Sequence, residues 1–244
     1  MHEYRLYTTV PSPRQNQVLN ILAGITASQP VAITQQVLIY QQLKPDSASL
    51  PASKKGQVRA ATPGALQQQR LNYVKVVRDV DAALEHSGES KAGKWRLREE
   101  GLPDPAAKTV ISQSVAEREL EEAEKVKFTP GSGDEAYKHI SQYLSAGTRF
   151  VHHNIIIHLT RLHTTATPTD ANPMDSPPPQ GLENRSLLDP SGAWLLEVCV
   201  RVDDGGNAAL RDKAVKGLEG FRREVEGAVD LRVPDRLALD PRVR

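Results

Sequence analysis

The sequence has one cysteine and no long apolar run, and both absences restrict what the protein can be. With Cys199 alone among 244 residues, the chain cannot form an internal disulfide or a cysteine-based zinc site. Cys199 falls within an apolar strand pattern, which predicts a buried, inert thiol. No apolar run approaches the roughly 18 residues of a membrane span, and no segment has a signal-peptide pattern. We therefore predict no membrane partner and a reducing compartment, the cytoplasm or the nucleus.

The chain also lacks a charge surplus and is poor in aromatic residues. Its 31 basic and 30 acidic residues give a net charge of +1, whereas a nucleic-acid-binding surface needs an excess of lysine and arginine. Aromatic residues make up 5% of the chain, which is sparse for a base-stacking platform. We therefore expect no direct, specific DNA binding, and an RNA-binding barrel is a weaker alternative. Nucleophilic catalysis is also disfavoured, because the sequence has no Gly-x-Ser-x-Gly elbow and no glycine-rich phosphate loop after a strand.

Segments with the patterns of β-strands dominate the chain. The longest covers residues 147–163, where β-branched and aromatic residues predict a strand that is apolar on both faces. As one strand it would span roughly 45–50 Å, which is much longer than usual, so we predict a curled or closed sheet with this strand as its spine. The other predicted strands are residues 3–10, 31–40, 71–84, 94–99, 108–115, 120–128, 194–202 and 229–233.

Three stretches have the signals of helices instead. In the first, Ser12 is the predicted N-cap and Pro13 occupies the first helical position, before an apolar stripe that ends near residue 29. The second would run from a capping box at Ser132 to Gly147, and Asn207 would cap the third. The predicted buried stripe of the third helix consists of Leu210, Ala214, Leu218, Phe221 and Val225. The fold class is therefore mainly β (α+β), an antiparallel multi-stranded β-barrel with about three packed helices.

Two stretches of low complexity interrupt these elements. Residues 44–70 are rich in Ser, Ala, Pro, Gln and Lys, and residues 164–192 contain six prolines and four acids against one arginine. We interpret residues 1–244 as a single barrel domain, with a low-complexity insertion at 44–70 and a Pro-rich disordered insertion at 164–192. The basic excess of the first insertion would suit an acidic partner, although a solvated linker is the simpler interpretation.

The histidines are the first candidates for a functional site, since positions 152, 153, 158 and 163 all carry one. On a single strand His152 and His153 would point to opposite faces, and His152 would lie roughly 20 Å from His158. A zinc ion needs its ligands about 2 Å from one point. We therefore predict no metal site here and interpret these histidines as polar residues at the rim of the barrel.

A polyphosphate-binding tunnel is the second candidate, because such a site combines a basic row with carboxylates that hold a divalent metal. Lys94, Arg96 and Arg98 could form the basic row on one strand. Glu122 and Glu124 have the Glu-x-Glu spacing that the metal side requires, although a solvated, charge-dense face is the simpler interpretation. These five residues define the alternative function, a metal-dependent triphosphate phosphohydrolase of the tunnel type.

The remaining carboxylates do not complete such a site in the sequence. The first predicted strand contributes Glu3 alone, and the strand over residues 194–202 contributes Glu197 alone. We therefore assign no catalytic, cofactor-binding or metal-binding residue, and predict a protein that is not an enzyme and uses no cofactor. No partner interface can be assigned; exposed apolar strand edges are the expected binding surfaces.

Four segments of the chain, at both ends and in the middle, match one family pattern. Met1-His2-Glu3-Tyr4 leads through Val10-Pro11 into the stretch 17–27, and residues 95–100 form a tryptophan-led strand, Trp-Arg-Leu-Arg-Glu-Glu. Residues 143–161 form a long strand led by Gly147, and residues 233–240 read Val-Pro-Asp-Arg-Leu-Ala-Leu-Asp. In these segments the chain resembles the subunit 18 family of the Mediator complex, of the fungal type.

This resemblance implies a specific biological setting. It implies a barrel related in shape to the triphosphate-tunnel enzymes but used as a scaffold, within the Mediator head module in the nucleus. The implied partners are Mediator subunit 20, as a heterodimer, a helix of Mediator subunit 8, other head-module subunits and RNA polymerase II. The implied role is that of a non-catalytic scaffold or adaptor in transcription coactivation by RNA polymerase II.

Overall fold

The structure, a computed structural model, describes residues 1–43, 73–80, 93–165, 172–176, 182 and 185–240. Its centre is a closed, antiparallel barrel with the strand order β1-β5-β4-β3-β2-β6-β7-β8. The strands are β1 (His2–Val10), β2 (Val31–Gln42), β3 (Tyr73–Asp79), β4 (Arg96–Glu100), β5 (Ile111–Glu119), β6 (Tyr137–His152), β7 (Ile155–Thr164) and β8 (Trp194–Val202). The predicted fold class is confirmed. In the described residues, no helix has the length and apolar character needed to cross a membrane.

The helices are α1 (Gln15–Thr26) and α2 (Ala208–Glu224), together with 3-10 helices at Ser12–Arg14, Glu122–Phe128 and Arg236–Leu239. The prediction for α2 is confirmed, because the Asn207 side chain accepts hydrogen bonds from the backbone N–H groups of Ala209 and Leu210. In its predicted stripe only Leu210 is exposed. Ser12 was wrongly predicted as an N-cap, since its side chain makes no capping bond and a short 3-10 turn precedes α1.

The long central strand was wrong in its extent. Residues 147–163 are the end of β6 and most of β7, joined by a tight turn at His153 and Asn154. His153 adopts a positive φ of 53°, which is uncommon outside glycine but tolerated by short polar residues and histidine. The turn was missed because it contains no glycine or proline.

Three further predictions were wrong. The helix predicted from Ser132 is strand β6, whose residues Tyr137–Arg149 pair with β2, because that long ladder outweighs the local helix signals. The strand predicted at 120–128 is a 3-10 helix with a capping box between Glu121 and Glu124. The closing strand at 229–233 is reduced to a bridge between Tyr7 and Arg232.

The apolar core lies outside the barrel wall, in two layers. The first is packed between the wall of β1, β7 and β8 and the helices, and it includes Leu6, Leu22, Ile157, Val198, Leu218 and Phe221. The second covers β2, β3 and β4 beneath the 122–128 helix, and it includes Leu38, Tyr40, Val76, Trp95, Phe128 and Met174. Because each strand places alternate residues on opposite faces, the other face of the wall points into the barrel. There the ladder partners of Arg5, Ile111 and Cys199, are buried alongside charged residues.

Of the two predicted insertions, residues 44–70 lie outside the described residues, and residues 164–192 lie partly within them. Within residues 164–192 the structure describes a short segment, 172–176, in which Met174 is buried and accepts a hydrogen bond from Trp95 Nε1 at 3.3 Å. Leu187 forms a bridge with His163. The interpretation of the two stretches as insertions in a single domain stays a prediction.

Candidate functional site

The lumen of the barrel contains a dense network of ion pairs that begins on β1. Glu3 and Arg5 are 1% and 4% exposed, although Tyr4 and Leu6 between them belong to the outer core. Arg98 on β4 donates to Glu3 with an Nη2–Oε2 distance of 2.5 Å, across β5, which separates the two strands. A contact between strands that are not neighbours places these side chains in the lumen.

Four strands contribute to this network. Arg98 also pairs with Glu100 at 2.8 Å and with Glu117 at 3.1 Å. Arg5 contacts Glu3 directly and lies 3.5 Å from both Glu100 and Glu197. The lumen is therefore crossed by two guanidinium groups, each shared among several carboxylates, which is the geometry that favours charge-assisted hydrogen bonds.

Three peripheral cations complete the neutralisation of these carboxylates, and one of them, Arg96 on β4, lies 3.2 Å from Glu117 through its Nε. Arg201 Nε on β8 lies 3.0 Å from Glu3, and Lys75 Nζ on β3 lies 2.8 Å from Glu100. Tyr7 adds a neutral member, since its hydroxyl donates to Glu197 at 3.4 Å and accepts from Arg5 at 3.3 Å. Burial raises the pKa of the Tyr7 hydroxyl, and the Glu197 charge adds to this rise. Tyr7 is therefore neutral at physiological pH.

Burial and the cations have opposite effects on the lumen carboxylates, and the cations dominate. Burial alone would raise the pKa of Glu3, but the hydrogen bonds and charges of Arg98 and Arg5 lower it to about 2. Burial likewise opposes ionisation of Glu100, while Lys75, Arg5 and Arg98 lower its pKa to about 2. Both carboxylates are therefore ionised at any pH at which the protein works.

Four carboxylates thus converge in the lumen, yet they do not form a metal cage. Arg5 lies among Glu3, Glu100 and Glu197, in the position that a bound cation would take. Among the residues that the structure describes, no group of three or more His, Cys, Asp or Glu side chains is arranged to hold a metal ion. The acidic charge of the lumen is balanced by the protein's own arginines and lysine.

The residues of the predicted phosphate tunnel do not form one site. Lys94 is exposed and pairs with Glu119, whereas Arg96 and Arg98 both contact the central network through Glu117, at 3.2 and 3.1 Å. Glu122 and Glu124 lie in the 3-10 helix outside the barrel. There they pair with Lys125 at 2.7 Å and with Arg118 at 2.5 Å.

Sequence analysis identified Glu3 and Glu197 but missed the other lumen carboxylates. Glu100 and Glu117 come from β4 and β5, at positions that alternate with the outward residues Leu97 and Ala116. The alternation of inward and outward residues along a strand also predicts that Arg5 points inward, since it lies two positions after Glu3 on the same strand. The convergence of the strands could not be derived, because it depends on register between strands.

The four histidines do not converge either. His152 and His153 lie at the β6–β7 turn with ring centroids 4.4 Å apart. His158 is opposite Glu197 in the β7–β8 ladder, and burial lowers its pKa despite the opposing effect of Glu197. Burial also lowers the pKa of His163.

On the outside of the barrel, a groove of about 800 Å³ runs between the end of β1 and the C-terminal segment. Its apolar lining consists of Val10, Pro11, Val18, Leu195, Val229, Val233, Pro234 and Leu239, and Arg14, Asp230 and Arg232 supply its charges. The expected apolar strand edges are a different kind of surface, and in the described part of the chain every barrel strand has two neighbours. This groove is an apolar recess with a charged rim that a partner could occupy.

Comparison with known proteins settles the family. Residues 2–242 match the family model described as Med18 protein. The chain belongs to the Med18 family. The family resemblance inferred from sequence is thereby confirmed over almost the whole chain.

Curated relatives of this Med18 family member align over their entire length. Subunit 18 of the Mediator of RNA polymerase II transcription from Yarrowia lipolytica is 27% identical over 255 residues, and its Neosartorya fischeri counterpart is 26% identical over 278 residues. Both alignments cover 100% of each chain. A chain in the structure of the Schizosaccharomyces pombe Mediator head module superposes with a TM-score of 0.67 at 17% identity. That alignment covers 96% of this chain and 99% of the other, so the two share a fold.

Proposed function

We propose that this Med18 family member is a non-catalytic subunit of the Mediator head module, a scaffold or adaptor in coactivation of transcription by RNA polymerase II in the nucleus. The match to the Med18 family over residues 2–242 carries the proposal. The lumen supports it physically, because its carboxylates are neutralised by arginines and lysine instead of being arranged around a metal. A buried, internally paired network stabilises one shape of the barrel and leaves binding to the outer surface.

The partners in this proposal are Mediator subunit 20, as a heterodimer, and a helix of Mediator subunit 8. We place the helix of subunit 8 in the groove between β1 and the C-terminal segment. The volume of about 800 Å³ suits a few turns of an amphipathic helix that inserts its apolar side chains. Arg14 and Arg232 against Asp230 give the rim one net positive charge, so a helix with acidic residues beside its apolar stripe would be complementary.

Co-expression with subunits 20 and 8 of the same organism tests this proposal. The complex should co-elute in size-exclusion chromatography, and Leu239→Glu in the groove should release subunit 8 while subunit 20 stays bound. Val151→Glu is the matched control, since Val151 is 49% exposed and does not line the groove. Failure of the wild-type chain to co-purify with either subunit would contradict the proposal. Loss of subunit 8 from both variants, or from neither, would contradict the placement in the groove.

The enzymatic alternative has its own measurement. With magnesium or manganese and a nucleoside triphosphate, we expect no phosphate release that depends on the lumen. Glu122→Ala tests the carboxylates of the sequence-based hypothesis, and Glu3→Gln tests those of the lumen. Phosphate release by the pure chain that either variant abolishes would reverse the assignment as a scaffold.

A further inference from the structure

The turn between β1 and α1 holds a serine in an unusual environment. Ser12 lies between Pro11 and Pro13, and it is exposed. Its hydroxyl does not cap the helix; it donates to the Gly192 carbonyl at 2.6 Å and accepts a hydrogen bond from Arg161 Nη2. The serine hydroxyl is therefore already in direct contact with a guanidinium group from another strand.

Among the described residues, Arg161 on β7 has no anionic partner. Its guanidinium stacks over the Trp194 ring at 4.3 Å from the centroid, which fixes its orientation. Its Nε is buried without a hydrogen-bond partner, and the described residues show no ion pair for it. A guanidinium group that is fixed in orientation and has an N–H group without a hydrogen bond is suited to bind a phosphate group.

Residue 192 is a glycine, so no side chain projects from it toward the Ser12 hydroxyl. Gly192 has a φ of +66°, and a Cβ there would lie 3.3 Å from Ser12 Oγ and 3.9 Å from Arg161 Nη2. Two other charged residues belong to the same two segments of the chain. Arg14 donates to the Ala228 carbonyl, and the Asp189 carboxylate accepts from the N–H and hydroxyl of Ser191.

We propose that Ser12 is a phosphorylation site for a proline-directed protein kinase and that Arg161 receives the phosphate. The sequence Ser12-Pro13 supplies the dipeptide that such a kinase requires. In the reaction the Ser12 oxygen forms a bond to the γ-phosphorus of ATP, the bond from that phosphorus to the β–γ bridging oxygen breaks, and ADP leaves. The hydroxyl proton passes to solvent. The product has a charge of about −1.5 to −2 beside the Arg161 guanidinium.

Phosphorus NMR of the full-length chain with phosphoserine encoded at position 12 tests the receptor. Because arginine favours the dianion, the second phosphate pKa should fall by about half a unit or more below its usual value near 6. Arg161→Gln should return the midpoint to that value. Arg14→Gln is the matched control for a nearby arginine that contacts a backbone carbonyl, and it should leave most of the shift. An unshifted midpoint in the wild type, or a shift that only Arg14→Gln removes, would overturn the assignment of Arg161.

A kinase reaction on the unmodified, folded chain tests the site itself. The chain has five Ser-Pro or Thr-Pro dipeptides, at residues 12, 62, 129, 167 and 176, so the modified position must be mapped by peptide mass spectrometry. We expect phosphate at Ser12, and its loss in Ser12→Ala with the other sites unchanged. Phosphorylation of the other dipeptides without Ser12 would overturn the proposal, whatever the NMR result.

Discussion

The substitution Glu3→Gln measures how much the lumen network stabilises the barrel. Glutamine keeps the size of the side chain but removes the charge that Arg5, Arg98 and Arg201 share. Since one pKa unit corresponds to about 1.4 kcal/mol, lowering the pKa from 4.5 to about 2 corresponds to about 3 kcal/mol. Removing one partner of a buried ion pair costs roughly 3–5 kcal/mol. We expect the free energy of unfolding at pH 7 to fall by about 3 kcal/mol.

The pH dependence of this loss distinguishes a charge effect from a packing effect. The pKa of Glu3 is lower in the folded state than in the unfolded state, so its contribution is complete above pH 4.5 and is lost as the pH falls toward 2. The wild type and Glu3→Gln should therefore differ by about 3 kcal/mol at pH 7 and converge near pH 2. Urea unfolding curves followed by far-UV circular dichroism at pH 7, 5, 4 and 3 measure this difference.

An exposed pair supplies the matched control for Glu3→Gln. Glu119 pairs with Lys94 at 2.8 Å, and the two side chains are 64% and 78% exposed. Because solvent screens such a pair, Glu119→Gln should leave the unfolding midpoint unchanged within error. The reasoning is refuted if Glu3→Gln costs less than about 1 kcal/mol at pH 7 or if its effect is the same at every pH.

Three further variants or reactions test other parts of the structure. Burial, followed by the neighbouring lumen carboxylates, raises the pKa of the Cys199 thiol to about 12, so a thiol-disulfide reagent at pH 8 should react with it only after urea unfolds the chain. Gly147→Ala should destabilise the protein by about 2–3 kcal/mol in urea titrations, because the new Cβ would overlap the Leu159 carbonyl oxygen. Asn207→Ala should cost about 1 kcal/mol in the same assay, with Asn207→Asp retaining most of the stability.

Local signals were sufficient where an element's own residues determine its structure. Asn207 begins α2 because its side chain satisfies free N–H groups at the helix start, and the alternation over Trp194–Val202 corresponds to β8. The same reasoning failed at Ser132, where the helix signals are real but the ladder with β2 is longer. The tight turn at His153 was missed because its one turn-favouring residue, Asn154, stands alone between residues that favour strands.

The contacts between side chains in the lumen could not be derived from local sequence signals. Glu3, Arg98 and Glu197 each had a visible place in the sequence, but their mutual distances depend on the order β1-β5-β4 and β1-β8 around the barrel. One strand's pattern specifies which residues point inward, and only the register specifies which of them meet. A row of basic residues therefore suggested a phosphate site, although its two arginines, Arg96 and Arg98, are paired with carboxylates.

The lumen and the groove share Tyr7, whose hydroxyl joins the lumen network and which also lines the groove. Glu3 belongs to the lumen alone and Leu239 to the groove alone, which makes the scaffold proposal testable. The groove depends on the C-terminal segment, which is held to β1 by the reciprocal backbone hydrogen bonds between Tyr7 and Arg232 at 2.9 and 2.8 Å. In the lumen, Glu3 instead contacts Arg5, Arg98 and Arg201, and none of these residues lines the groove. If the barrel is a scaffold, Glu3→Gln should lower stability while the folded variant still binds its partners, and Leu239→Glu should do the reverse. A Glu3→Gln protein that stays folded but loses its partners would show that the lumen takes part in binding, and the outer surface could then no longer account for the function.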